Sequence, residues 1–162
     1  MATTKNLHVP FGEESLCVQV PDACDILRMK PVPVLVNARD AIQSALAAPI
    51  ESPPLNEVIR AKGSPPETLT VCVTVSDITR PVPYSGSNGL LAPMLQSIES
   101  TGIQRDNITL LIGNGMHRAS TPEERGQIFG PDIVAEYHIV DHDSEDKDGQ
   151  VHAATTANGT DV

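Results

Sequence analysis

The residues best suited to chemistry in this chain are an aspartate, a histidine and two arginines that stand in two short polar segments. The first segment contains Asp77, Thr79 and Arg80, and the second contains His117 and Arg118. A carboxylate can accept hydrogen bonds from hydroxyl groups or orient a neighbouring side chain, and arginine presents a planar fork that suits a carboxylate or a phosphate. Histidine is the side chain best suited to proton transfer near neutral pH. These residue types therefore predict acid/base chemistry on an anionic ligand.

Both polar segments follow apolar, β-branched runs that are typical of strands. Residues 69–75 precede the first segment and residues 108–112 precede the second. If these strands are parallel neighbours, their carboxyl ends lie at one edge of a sheet. The side chains of Asp77, Arg80, His117 and Arg118 are then expected to converge on one crevice. The near-continuous apolar content of the first run also predicts a sheet that is covered on both faces.

Further helices and strands are predicted on both sides of these two strands. An N-terminal β-hairpin is expected because apolar and polar residues alternate on both sides of Gly12-Glu13-Glu14. The clearest helix start is Thr121-Pro122-Glu123-Glu124, which has the residues of a capping box. Other elements are expected as a short strand at 34–36, helices after Asn37, around 54–61 and at 90–98, and a strand at 137–140. This order predicts an α/β fold with a mostly parallel, Rossmann-like sheet, flanking helices and an N-terminal β-hairpin.

The composition limits the partners that the chain is expected to have. The 162 residues carry a formal net charge of −10, which argues against nucleic acid or an anionic membrane as the main partner. Three cysteines without metal-type spacing require no oxidising compartment, and Cys72 is expected to be a small buried residue of a strand. The first residues lack the apolar stretch of a signal peptide, so a cytoplasmic protein is expected.

Simpler interpretations of the same residues remain open. Asp77 and Arg80 are spaced to form a local ion pair in a solvated loop, which is common and contributes little. A single histidine after a strand, such as His117, is more often a hydrogen-bonded structural residue than a catalytic one. The presence of Arg118 beside it favours an anionic ligand. His142 is interpreted as a solvated turn residue because no second metal ligand lies at a suitable spacing.

Taken together, these motifs resemble those of the nickel-pincer lactate racemase family. The most specific match is D-x-T-R-P-V-P at 77–83 followed by G-x-H-R at 115–118. Weaker matches cover most of the chain and fall at 7–12, 120–124, 129–134 and 155–159.

The resemblance implies a racemase or epimerase of small 2-hydroxy acids that works by hydride transfer on a nickel-pincer nucleotide. It implies that His117 is one of two acid/base histidines. It also implies that Asp77, Thr79 and Arg80 contact the cofactor, and that Arg80 and Arg118 contact the substrate. No residue of this chain is assigned to the metal.

The resemblance further implies that residues 1–162 are a single N-terminal, catalytic-half domain. The sequence stops before the region where the family carries its second catalytic histidine, its cofactor-linked lysine, its nickel-binding histidine and its C-terminal domain. We therefore expect this chain alone not to racemise lactate. The alternatives are a non-catalytic module that binds a carboxylate or another anion, and one half of an assembly whose second polypeptide supplies the rest.

Overall fold

The computed structural model describes residues 3–146, 148–149 and 151–162, and it divides the chain into two units, Met1–Val34 and Leu35–Val162. In the first unit, β1 (Thr4–Phe11) pairs antiparallel with β2 (Glu14–Pro21), which confirms the predicted hairpin. Phe11 pairs directly with Glu14, so the turn has two residues instead of the three that were expected. Its first residue, Gly12, has a φ of 62°, a conformation that glycine adopts without steric cost.

The stretch that follows the hairpin has no strand, and the short strand predicted at 34–36 is therefore wrong. Pro31 and Pro33 lie just before it and have no backbone N–H to donate to a neighbouring strand.

The second unit contains a three-stranded parallel sheet in the order β3-β4-β5. The predicted α/β fold, with a parallel sheet flanked by helices, is confirmed. The strands are β3 (Val71–Val75), β4 (Ile108–Ile112) and β5 (His138–Asp141). The helices are α1 (Ala38–Ala47), α2 (Leu55–Arg60), α3 (Leu91–Glu99), α4 (Pro122–Phe129) and α5 (Pro131–Glu136). No helix in the described part of the chain is both long and apolar enough to span a bilayer.

Two of the helices, α1 and α4, begin at residues that the sequence predicts to be side-chain caps. The side chain of Asn37 accepts a hydrogen bond from the backbone N of Asp40 and caps α1. The predicted capping box of α4 is confirmed, because the Thr121 side chain accepts from the Glu124 backbone and the Glu124 side chain accepts from the Thr121 backbone.

Among the residues that the structure describes, the hydrophobic core lies on one face of the sheet. Ile108, Leu110 and Ile112 of β4 are fully buried, and they belong to one cluster with Leu91, Leu95 and Ile98 of α3 and with Ile128 and Phe129 of α4. On the opposite face, Cys72 and Thr74 of β3 are exposed. The predictions that both faces are covered and that Cys72 is buried are therefore wrong.

The order of the strands explains why the core is one-sided. The connection from β3 through α3 to β4 and the connection from β4 through α4 and α5 to β5 advance in the same direction across the sheet. Two right-handed crossovers that advance in the same direction place their helices on the same face.

We expect substitutions at adjacent residues of β4 to separate the two faces. Leu110→Ala should lower the free energy of unfolding by about 2–5 kcal/mol, because it leaves a cavity in the core. Leu111→Ala, its neighbour on the half-buried opposite side, should lower it by less than about 1.5 kcal/mol. Urea denaturation followed by circular dichroism measures both, and equal losses would contradict a one-sided core.

Candidate functional site

The parallel pairing brings both polar segments to one edge of the sheet. Val75 pairs with Ile112, and Ile112 pairs with Asp141, so the three strands end level with one another. Backbone hydrogen bonds continue past the strand ends, from Gly113 N to Val75 O at 2.8 Å and from His142 N to Ile112 O at 2.9 Å. The segments after β3 and β4 therefore start side by side, as the sequence predicts.

An aspartate and a histidine from the two segments are in direct contact. Nδ1 of His117 lies 2.5 Å from Oδ2 of Asp77. The other oxygen of Asp77, Oδ1, accepts from the Thr79 hydroxyl at 2.6 Å and from the Thr79 backbone N at 3.2 Å. Asp77 is buried, whereas the His117 side chain is 55 % exposed. The imidazole of His117 is therefore accessible to solvent and is held in place by a buried carboxylate that is itself hydrogen-bonded.

The electrostatics of this pair determine which nitrogen of His117 is available. The hydrogen bonds from Thr79 and from His117 outweigh desolvation and hold the pKa of Asp77 below its ordinary value of 3.8. An ionised carboxylate only accepts hydrogen bonds, so Nδ1 of His117 carries the shared proton. No described residue forms a hydrogen bond with Nε2, which leaves that nitrogen free to take a proton from a ligand.

The turn that carries His117 depends on a glycine. The backbone N of His117 donates to Asn114 O at 3.0 Å and closes a four-residue turn. Gly115 is the second residue of this turn and has a φ of 59°. A residue with a Cβ adopts this conformation at a cost, which accounts for the glycine two positions before the histidine.

Arg80 is exposed and unpaired. Its guanidinium makes no hydrogen bond or ion pair with any residue that the structure describes, and the local ion pair with Asp77 that the sequence left open does not form. Arg80 lines a cleft of about 170 Å³, and Asp77 and His117 line a second of about 150 Å³. Ile78 lines both clefts, so Arg80 lies in the cleft that adjoins the aspartate–histidine pair and not in the same one.

Arg118 differs from Arg80 because its charge is already paired within the chain. Its guanidinium donates to both carboxylate oxygens of Glu124, at 2.7 and 2.8 Å. This bidentate contact raises the pKa of Arg118 and lowers the pKa of Glu124 to about 2. An anionic ligand would therefore have to compete with Glu124 for this arginine.

A buried aspartate that the sequence interpretation missed holds the second polar segment in place. Oδ1 of Asp141 accepts from Asn114 Nδ2 and from the backbone N of Ser120, both at 2.8 Å, and its other oxygen accepts from Arg125. Asn114 Nδ2 also donates to the carbonyl oxygen of Arg118 at 3.0 Å. The end of β5 is thereby tied to both ends of the turn that carries His117.

The first segment is fixed to the core by an aromatic side chain. The backbone N of Ser76 donates to the hydroxyl of Tyr84 at 2.7 Å. The ring of Tyr84 packs against Phe129, with 5.8 Å between ring centroids. Sequence interpretation did not identify Tyr84, although it lies next to Pro83 at the end of the D-x-T-R-P-V-P motif.

The site has no ready-made metal centre within the described residues. No group of three or more histidine, cysteine, aspartate or glutamate side chains there could hold a metal ion. His142 is exposed, and no hydrogen bond of its ring is present in the described part of the chain.

Substitutions around Asp77 should change its pKa in a defined order. Thr79→Val should raise the pKa of Asp77 most, and His117→Ala should raise it less, because these side chains supply the two largest stabilising hydrogen bonds. Arg80→Ala is the matched control, since Arg80 makes no contact with the carboxylate. Carbon-13 NMR titration of the carboxyl group measures these values, and a larger shift in Arg80→Ala than in Thr79→Val would contradict the geometry.

Asp141→Asn should destabilise the fold above pH 4. Burial opposes ionisation, but the bonds from Ser120, Asn114 and Arg125 outweigh it and lower the pKa of Asp141 from 3.8 to about 2. The ionised form therefore contributes about 2 kcal/mol above pH 4, and this contribution disappears as the pH falls from 4 to 2. Urea denaturation at several pH values tests this. The exposed Asp106→Asn variant should change stability by less than about 0.5 kcal/mol, and an equal loss in both variants would count against the role of Asp141.

Comparison with known proteins gives a consistent result. The family model described as the lactate racemase N-terminal domain matches residues 11–162. The lactate racemase of Thermoanaerobacterium thermosaccharolyticum is 30% identical over 158 residues, which cover 95% of this chain and 35% of the relative. The lactate racemase of Lactiplantibacillus plantarum is 31% identical over 126 residues, which cover 78% of this chain and 27% of the relative.

A solved structure agrees with the sequence relatives. The lactate racemase apoprotein from T. thermosaccharolyticum superposes with a TM-score of 0.71 at 26% identity, over 97% of this chain and 34% of that one. The chain thus spans about a third of the length of this relative. The resemblance seen in the D-x-T-R-P-V-P and G-x-H-R motifs is confirmed, and the chain belongs to the lactate racemase N-terminal domain family.

Proposed function

We propose that this chain forms the proton-transfer wall of an active site that inverts the configuration of a small 2-hydroxy acid. The contact between buried Asp77 and exposed His117 is the observation that carries this proposal. The family to which the chain belongs and the names of its relatives, both lactate racemases, supply the class of reaction.

Each side chain takes a role that its surroundings favour. Nε2 of His117 accepts the proton of the substrate hydroxyl and later returns it. Asp77 is a positioning residue, because it orients the imidazole through Nδ1 and stabilises its protonated form. Thr79 in turn orients Asp77, and Arg80 binds the substrate carboxylate with its unpaired guanidinium.

Inversion at carbon requires a group that removes the α-hydrogen, and the family resemblance implies a nickel-pincer nucleotide for this step. The resemblance assigns the metal of that group to no residue of this chain. We therefore assign no nickel ligand to this chain, and the steps above involve only its own residues. The other side of the active site, including a second acid/base, is assigned to sequence that corresponds to the part of the relatives that this chain does not cover.

A non-catalytic carboxylate-binding module is the second candidate. The observation that favours it is the exposed, unpaired guanidinium of Arg80, which binds a carboxylate with or without proton transfer. The two candidates differ in what they require of His117. A racemase wall places the imidazole against the substrate hydroxyl, whereas a carboxylate-binding module needs only the arginine.

Ligand binding by single variants distinguishes these functions. Arg80→Ala should weaken the binding of lactate and of propionate alike by at least about tenfold, because both lose the charged contact. His117→Ala should weaken lactate by about five- to tenfold and leave propionate unchanged, because propionate has no hydroxyl group. NMR titration with each acid measures both affinities.

Arg60→Ala is the control for the loss of a positive charge, since Arg60 is an exposed arginine of α2. Equal effects of His117→Ala on lactate and propionate would favour the binding module. Unchanged binding of lactate to Arg80→Ala would contradict both functions.

A further inference from the structure

Arg118 and Glu124 stand in the same cleft as the aspartate–histidine pair. This cleft, of about 150 Å³, is lined by both of them together with Asp77 and His117. Nη2 of Arg118 lies 2.7 Å from Oε1 of Glu124, and Nη1 lies 2.8 Å from Oε2. The guanidinium beside His117 is therefore neutralised by a carboxylate of the chain itself.

Glu124 is held in this position by the start of α4. Its Oε2 also accepts from the backbone N of Thr121 at 2.8 Å, and its own backbone N donates to the Thr121 hydroxyl at 3.2 Å. The Glu124 side chain is only 17 % exposed, whereas that of Arg118 is 68 % exposed. The carboxylate is thus the anchored member of the pair, and the arginine is the member that a ligand can reach.

The surroundings of the two arginines differ in charge. On its other side Arg118 lines a wider cleft of about 570 Å³, which Asp143 and Glu145 also line. A ligand that approaches Arg118 therefore meets carboxylates in both clefts. Arg80 lies in the adjoining cleft of about 170 Å³, and no carboxylate of the described residues lines that cleft. One arginine is thus open to a carboxylate, and the other is not.

We propose that Glu124 is a specificity-determining residue, which keeps Arg118 from binding a second carboxylate and limits the ligands of this site to 2-hydroxy acids with one carboxylate. The inference rests on the proposed function, because it takes Arg80 as the partner of the first carboxylate and His117 as the partner of the hydroxyl. Lactate uses both partners and leaves Arg118 paired with Glu124. Malate, which is lactate with a second carboxylate on its methyl carbon, brings that charge against Glu124. Specificity of this kind comes from repulsion of the wrong ligand.

One substitution removes the charge of Glu124 and keeps its structural role. Glutamine serves as well as glutamate in a capping box, so Glu124→Gln should retain the hydrogen bond from the Thr121 backbone. Arg118 then loses its bidentate partner and becomes available to the second carboxylate of malate. Glu123→Gln is the matched control, because Glu123 is the preceding, exposed residue of α4 and forms no ion pair with Arg118.

NMR titration of the chain with lactate and with malate near neutral pH measures the ratio of the two affinities. The unmodified chain should bind malate at least about fivefold more weakly than lactate. Glu124→Gln should raise the affinity for malate relative to lactate at least about tenfold, whereas Glu123→Gln should change this ratio less than about twofold. Adding Arg118→Ala to Glu124→Gln should remove the gain, since Arg118 is the group that binds the second carboxylate.

Three results would each overturn the proposal: equal affinities of the unmodified chain for the two acids, an unchanged ratio in Glu124→Gln, or a gain that persists without Arg118. Far-ultraviolet circular dichroism and the urea midpoint confirm that the variants fold. The comparison of lactate with malate on the unmodified chain tests the proposal without any variant.

Failure of this proposal is distinguishable from failure of the proposed function. If Arg80→Ala loses lactate binding while Glu124→Gln still excludes malate, the proposed function stands and the role of Glu124 is wrong. If lactate binding does not depend on Arg80, the proposed function is wrong and the role of Glu124 fails with it.

Discussion

The parallel register between β3 and β4 is the constraint on which the rest of the site depends. Val75 and Ile112 are partners at the last position of each strand, so Asp77 and His117 leave the sheet from the same level. A shift of two residues preserves the faces of the strands but moves one segment by about 7 Å relative to the other, which is more than enough to separate a carboxylate from an imidazole 2.5 Å away. The core on one face stabilises this register, because Ile108, Leu110 and Ile112 must all remain buried.

Within this frame, the site separates groups that are committed to structure from groups that are free to act. The carboxylates of Asp77 and Asp141 are buried and have hydrogen-bond donors at both oxygens. Their charges are stabilised by the protein, and each fixes one of the two polar segments. His117 and Arg80 are exposed and project from these fixed segments. A site that holds a small anion in one orientation needs accessible groups that bind the anion and rigid groups that keep them in place. The exposed side chains fit the first role, and the buried carboxylates fit the second.

The meeting of the segments that carry Asp77 and His117 at one edge was predictable from the sequence, because apolar runs and polar loops alternate in the order typical of parallel strands. The hydrogen-bond and ion-pair partners of the side chains at that edge were not predictable. Short-range spacing suggested that Asp77 pairs with Arg80, but the contact that forms joins Asp77 to His117, 40 positions away. Likewise Arg118 pairs with Glu124, and Asp141 binds Asn114 across two strand ends. Such contacts depend on register and loop direction, which a local pattern does not contain.

The exposed side of β3, which contains Cys72 and Thr74, has a signal in the sequence. In Val71-Cys72-Val73-Thr74-Val75, valine alternates with smaller or polar residues, and Thr109 continues that row on β4. Alternation of this kind is typical of a strand that is buried on one side only. Because most residues of this run are apolar, the alternation between valines that pack in or against the core and exposed residues is hard to recognise in the sequence.

Tyr84 links the core to the site, and this has a consequence for spectroscopy. The chain has no tryptophan and two tyrosines, so its tyrosine fluorescence comes from Tyr84 and Tyr137 and is not masked by tryptophan emission. The Tyr84 hydroxyl accepts from the Ser76 backbone, next to Asp77, while the Tyr137 hydroxyl donates to Glu99 at the other end of the sheet. The protein therefore carries one optical probe beside the aspartate–histidine pair and one remote from it. Replacing Tyr137 with phenylalanine leaves an emission that reports on the candidate site without any added label.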